Sequence, residues 1–120
     1  MNEEIEMLFK GFKVDEELVP VIFMSYDPLY DSDEINYENY VTYASNGETP
    51  SLHADDVLLA SNESYDFNIH TKHNFFPILN EIKKILETNG WNWVEDSEDF
   101  FDSKSRYFQK VTTWSKERMK

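Results

Sequence analysis

The sequence predicts an α+β fold: a mostly antiparallel sheet carrying an N-terminal helix and one main amphipathic helix. Three observations point there. Residues 64–72 alternate, with Tyr65, Phe67 and Ile69 on one side and Asp66, Asn68 and His70 on the other, as a strand with one covered face requires. Directly after it, Phe75, Ile78, Leu79, Ile82, Ile85 and Leu86 recur at helical spacing and form one broad apolar stripe. Further β-type runs flank this pair on both sides, so the helix has a sheet to cover. With 120 residues, the chain is read as one domain.

Taken in order, Met1 to Phe12 places Ile5, Leu8, Phe9 and Phe12 on one face of a short helix that ends near Gly11. Its early Glu3, Glu4 and Glu6 suit the positive helix N-terminus. Val14 to Leu18 reads as an acidic connection. Val19 to Tyr26 is a β-type run in which Pro20, lacking an N–H, marks a strand start or a sheet edge. Asp27 to Asn39 reads as an exposed loop. Tyr40 to Ser45 alternates as a strand, and Asn46-Gly47 reads as a turn dipeptide. Thr49 to Asp56 is expected to be irregular around Pro50, and Val57 to Ala60 to be a short strand.

The main helix has Asn74 as its expected N-cap, Pro77 in the first turn and Gly90 just past its end. Trp91 to Val94 is strand-like, and its two tryptophans, two residues apart, are expected to share a side. Glu95 to Asp102 reads as an acidic turn carrying Phe100 and Phe101. Tyr107 to Trp114 is the last strand, followed by a basic tail of Lys116, Arg118 and Lys120.

Charge narrows the function. The chain holds 24 acids and 11 bases, a formal net charge of −13. Nucleic acid and anionic membranes are therefore disfavoured as direct partners, since both need clustered Lys and Arg. The absence of cysteine removes disulfides, thiolate chemistry and Cys-based zinc sites. No apolar run approaches the length of a membrane span, and the acidic start lacks the basic-then-apolar order of a secretion signal. High charge with a mean hydropathy of −0.65 leans toward disorder, but an aromatic content of 16% argues for a packed core. Residues 1–60 carry 14 acids and 2 bases, and no Lys or Arg lies between Lys13 and Lys72. This is either a solvated face or a surface that meets a basic partner or repels a polyanion.

Motifs for chemistry are sparse. In His70-x-x-His73 the two imidazoles would face opposite sides of a strand, so no metal is assigned. Asp31, Asp33 and Glu34, and the acids from Glu95 to Asp102, lack the EF-hand spacing. Gly11, Gly47 and Gly90 are too dispersed for a phosphate loop. No catalytic residue or cofactor is assigned, and the chain is not expected to be an enzyme. The aromatic residues Trp91, Trp93, Phe100 and Phe101 are either core or subunit interface, where aromatics are enriched.

The second half also resembles a known family. The segment Tyr65-Asp-Phe-Asn-Ile-His-Thr-Lys72, the amphipathic helix through Asn74 to Asn89, the Gly90-Trp91 step, the acidic turn Asp96 to Phe101 and the closing Tyr107-Phe108-Gln109-Lys110 are similar in order to tail-completion proteins of long-tailed bacteriophages and prophages. The likeness spans roughly residues 64 to 114, whereas the loop Asp27 to Asn39 has no counterpart. It implies a non-enzymatic virion protein, a tail terminator or head–tail joining subunit. Such a subunit forms a ring, usually of six, on the tail tube and meets tube and neck proteins in the virion, after assembly in the host cytoplasm. Candidate contact residues are Asp31, Asp33, Glu34, Trp91, Trp93, Phe100, Phe101, Lys116 and Arg118. The alternative reading is a small acidic decoy or immunity-type protein that inhibits a basic, nucleic-acid-binding partner.

Overall fold

A computed structural model describes residues 3–23, 38–54, 57–104 and 106–119. It is α+β, with a mostly antiparallel sheet, a short N-terminal helix and one main helix packed against it. The elements run α1 (Glu3–Leu8), β1 (Lys13–Val14), β2 (Glu17–Leu18), β3 (Val21–Phe23), β4 (Asn39–Ala54), β5 (Val57–Thr71), α2 (Phe76–Thr88), β6 (Asn92–Asp96), β7 (Phe100–Asp102) and β8 (Tyr107–Met119). The main sheet has the order β3-β4-β5-β8-β6, with β7 also on β8. Among the described residues, only the β3–β4 pair is parallel.

Burial follows from the alternation. Val41 pairs with Ile69, Tyr43 with Phe67 and Tyr65 with Trp114, so these side chains share one face of the sheet. The helical stripe Ile78, Leu79, Ile82 and Leu86 packs on that face together with Ile5, Phe9 and Phe12 from the N-terminal segment. Both helices thus contribute to a single apolar cluster. A compact protein of this mass would expose roughly 6,800 Å². This one exposes 7770 Å² and is elongated, with extents of 54 × 27 × 26 Å. The paired strands β4 and β5 account for the elongation, since among the described residues β3 supports β4 only at Val41–Tyr43.

Chain punctuation behaves partly as expected. Pro20 immediately precedes β3 at the sheet edge, and its carbonyl accepts the Val41 N–H at 2.8 Å. Gly90, at φ +86°, closes α2 in a Schellman motif. Its N–H reaches the Glu87 carbonyl at 3.3 Å, and the Trp91 N–H reaches the Leu86 carbonyl at 2.9 Å. Leu86 and Trp91 are both buried, which supplies the hydrophobic contact of that motif. The N-cap position falls on Phe75, not Asn74. Asn74 still contributes, because its Oδ1 accepts the Phe76 N–H at 3.0 Å.

Several local expectations are corrected. Asn46-Gly47 is not a turn but a bulge within β4: Ser45 pairs with Tyr65 and Gly47 with Ser64, leaving Asn46 as the extra residue. Gly47 at φ +94° meets the bulge's backbone demand, while Asn46 Nδ2 donates across to Asp66 Oδ1 at 2.9 Å. Residues 49–54 continue β4 instead of becoming irregular. Pro50 is tolerated because β4 there has only β5 beside it among the described residues. The acidic connection is a small hairpin, β1–β2, turned by Asp15 and Glu16 at φ 51° and 70°. Helix α1 is shorter than its apolar spacing, and Phe9 and Phe12 reach the core from the turn after it. The expected loop is described only at Glu38 and Asn39, of which Asn39 already belongs to β4; its other residues lie outside the described ones.

Candidate interaction surface

The outer side of β8 is completed by two short strands: β6, where a strand was expected, and β7, which lies in the stretch expected to be an acidic turn. Residues Asn92–Asp96 pair with Thr112–Ser115, and Phe100–Asp102 pair with Tyr107–Gln109. Ser97 joins the two stretches. Its N–H reaches the Val111 carbonyl at 2.7 Å, and its Oγ accepts the Val111 N–H at 2.9 Å. Lys110 then ties down the connection, donating to the Ser97 carbonyl at 2.5 Å and to Asp99 Oδ1 at 3.0 Å. Glu95 to Asp102 is therefore a pinned sheet margin, with Asp99 held by Lys110 and Asp96 by Lys83.

That margin displays large apolar side chains. Phe100 is 59 % exposed and Trp93 55 %, and Val94, Phe101 and Phe108 are also exposed. On so charged a chain, apolar residues gathered along one sheet edge mark a contact surface more readily than scattered ones would. Their exposure has local causes. A register shift between Trp93 and Glu95 lifts Val94 out of the ladder. Trp93 is held in place because its indole N–H donates to Asp96 Oδ1 at 2.9 Å and Lys83 Nζ lies 5.1 Å from its ring centre. Phe101 packs on Phe108 at 4.8 Å across the β7–β8 pair. Anchors held this way lose little side-chain freedom on binding.

The other candidate residues have different roles. Trp91 is buried in the core and lies before β6, in the turn that closes α2, so it does not share the exposure of Trp93. Lys116 and Arg118 belong to β8 rather than to a tail. Lys116 Nζ donates to Glu4 Oε1 at 2.7 Å and to the Asn89 carbonyl at 3.0 Å. Arg118 pairs with Glu4 and, at 3.3 Å, with Glu63. Both cations lie over the Trp91 ring, at 5.7 and 5.8 Å. They fasten α1 to the sheet. Asp31, Asp33, Glu34 and Lys120 lie outside the described residues.

These ion pairs give a pH dependence. Burial alone would push the Glu4 carboxyl up, but hydrogen bonds from Lys116 and Arg118, with their charges, hold it below the ordinary range. Asp96 behaves likewise: burial opposes, and hydrogen bonds from Lys83, Trp93 and Thr112 prevail. A carboxylate depressed in the folded state contributes stability that is fully present above its unfolded value and lost as pH falls through the folded one. Stability measured by urea denaturation is expected to decline below about pH 4. Glu4→Gln is expected to cost about 1 kcal/mol at pH 7 and to flatten that decline. An unchanged pH slope in this variant would discount the Glu4 cluster.

On the sheet face opposite α1 and α2, Tyr40 and Tyr107 are buried although they lie at polar-side positions of their strands. Tyr40 stacks on His70 at 4.3 Å and meets Tyr107 edge-on at 5.4 Å. His70 also contacts Thr42 at 3.1 Å. His73 lies beyond β5 and pairs with Glu38 at 2.6 Å, so the two histidines belong to separate environments. Sequence reading missed this aromatic cluster. The one available signal was that Tyr40 and His70 both sit at strand positions next to a change in polarity.

No helix among the described residues is long and apolar enough to cross a membrane. No protein-family model matches the chain, and no curated protein matches it either.

Proposed function

We propose that this protein is a non-enzymatic virion assembly subunit, a tail terminator or head–tail joining protein, that acts through ring formation and contacts with tail-tube and neck proteins. The observation that carries the reading is the aromatic margin of β6 and β7: Trp93 and Phe101 are exposed on one face of this sheet edge and Phe100 on the other, on a chain of net charge −13. Aromatic residues concentrated at one edge suit a protein–protein contact. The resemblance of residues 64–114 supplies the kind of assembly, since strand, amphipathic helix, Gly-aromatic step and closing strand follow one another in that order. Acidity suits a subunit beside a DNA channel, because carboxylates repel phosphate and let the duplex slide.

Light scattering over a concentration series, at several salt levels, tests this. A closed oligomer is expected. Its assembly should strengthen as salt rises from very low levels, because screening relieves repulsion between subunits of like charge. A strict monomer at every salt level that also fails to bind tail-tube protein would overturn the proposal.

A further inference from the structure

The first described segment, residues 3–10, is held to the fold by few side chains. Helix α1 has six residues, too few to persist without packing, and Ile5 is its one buried residue. Leu8 is partly buried, Met7 is 77 % exposed, and Phe9 enters the core just after the helix. A further tie is the Glu4 carboxylate, which pairs with Lys116 at 2.7 Å and with Arg118. Both cations belong to β8, at the far end of the chain. Phe12 is where the backbone is fastened: its carbonyl accepts the Val19 N–H at 2.9 Å, and β1 begins at the next residue.

The space beside this segment is unfilled. A cavity of about 470 Å³ opens at the β3 edge of the sheet, opposite the aromatic margin, between α1, the chain after it, the start of β3 and Tyr43 of β4. Ile5, Glu6, Phe9 and Lys10 are the segment's contribution to its mainly apolar lining. Interior side chains normally meet neighbours on every side, and a face that borders a void forfeits those contacts. Phe9 rests on Phe67 at 5.6 Å and on Phe12 at 5.3 Å, but it also lines the cavity. Between the segment and its fastening stands Gly11. It is exposed, and among the described residues no atom beyond its chain neighbours lies within 4 Å of where a β-carbon would stand. Rotation there meets little obstruction.

We infer that residues 3–10 form a strap that swings open about Gly11 while the rest of the fold stays intact, with the Glu4 ion pairs as its latch. Segments that open locally are those with few buried apolar contacts. Opening would uncover part of Phe67 and release Lys116 and Arg118 from Glu4. The open form therefore presents an apolar seat and a basic pair that the strap engages in the closed form. The device operates whether the protein works alone or in an oligomer.

Native-state hydrogen exchange of the full-length protein tests this. The Phe9 amide, bonded to the Ile5 carbonyl at 3.1 Å, reports on the strap, and the Phe67 and Ile69 amides of β5 report on the sheet. After correction for intrinsic rates, Phe9 is expected to exchange at least about 100-fold faster than the two sheet amides, as a local opening does. Glu4→Gln keeps the side chain's size, removes its charge and is expected to raise the Phe9 rate about fivefold. Phe75→Leu, which trims the core at the start of α2, is expected to speed the sheet amides several-fold while Phe9 stays within about twofold of wild type. Exchange of Phe9 in step with the sheet amides, or equal acceleration of all three in Phe75→Leu, would mean that the segment leaves only when the whole molecule unfolds, and would overturn the inference. An unchanged Phe9 rate in Glu4→Gln would overturn it by removing the latch.

Discussion

Trp114→Ala is expected to destabilise the protein by about 3–5 kcal/mol, a large fraction of the roughly 5–15 kcal/mol that holds a domain folded. Trp114 is completely buried. It sits on β8, opposite Tyr65 of β5 on one side and Trp93 of β6 on the other. Its indole N–H donates to Thr112 Oγ1 at 2.8 Å. Truncation would open a cavity under α2 and remove one of the hydrogen-bond partners of the buried Thr112 hydroxyl. The effect should spread, because β8 is the strand to which β5, β6 and β7 are all bonded. Urea denaturation followed by circular dichroism would measure the loss. Trp114→Phe, which keeps most of the volume, is expected to recover part of it. A cost below about 1 kcal/mol for the alanine variant would mean that the core tolerates collapse at this point.

Phe100→Asp is expected to do the opposite: leave the fold intact and abolish assembly. Phe100 is mostly exposed, and substitutions at such positions usually change stability by no more than about 0.5 kcal/mol. Removing a central aromatic anchor from an interface commonly costs 2 kcal/mol or more, which is about a 30-fold loss of association. A carboxylate adds repulsion in a stretch that already holds Glu98, Asp99 and Asp102. The denaturation midpoint should therefore match that of wild type while light scattering reports subunits in place of oligomers. Wild-type assembly by a folded Phe100→Asp protein would remove this margin from the proposed function.

The substitutions differ because burial, not residue type, sets their consequence. Both residues are aromatic and both lie on strands of the same sheet, but one is enclosed between α2 and the sheet while the other stands at the margin. The sequence separates these cases only in part. Tyr65, Phe67 and Ile69 announce a covered face by alternation, and Ile78, Leu79, Ile82 and Leu86 announce the helix that covers it. Gly90 marks the helix end because its left-handed backbone is a local requirement. Trp91 and Trp93, by contrast, share a spacing that suggests one environment. The Schellman turn places the first before the strand, and the pinned strand leaves the second exposed.

The candidate surface was legible in composition but not in arrangement. Phe100, Phe101 and Trp93 could be singled out as core or interface residues, but the choice depended on which of them another element covers. Lys116 and Arg118 looked like a free basic end because their acidic partner, Glu4, is more than a hundred residues away in the chain. Asn46-Gly47 favours the same backbone in a turn and in a bulge. Pairing with Tyr65 and Ser64 on β5 selected the bulge.

The sequence by itself determined the fold class, the identity of the central strand and main helix, the apolar face between them and the acidic character of the chain. These depend on periods of two and 3.6 residues and on charge counts, which are properties of neighbouring positions. Tertiary structure alone decided that the last acidic stretch becomes a sheet margin, that two C-terminal cations lock α1, and that an apolar cavity opens on the opposite edge. Each depends on which distant segments pair. Pairing is settled by the combined energy of many weak contacts across the whole sheet, a quantity that no short window of sequence contains.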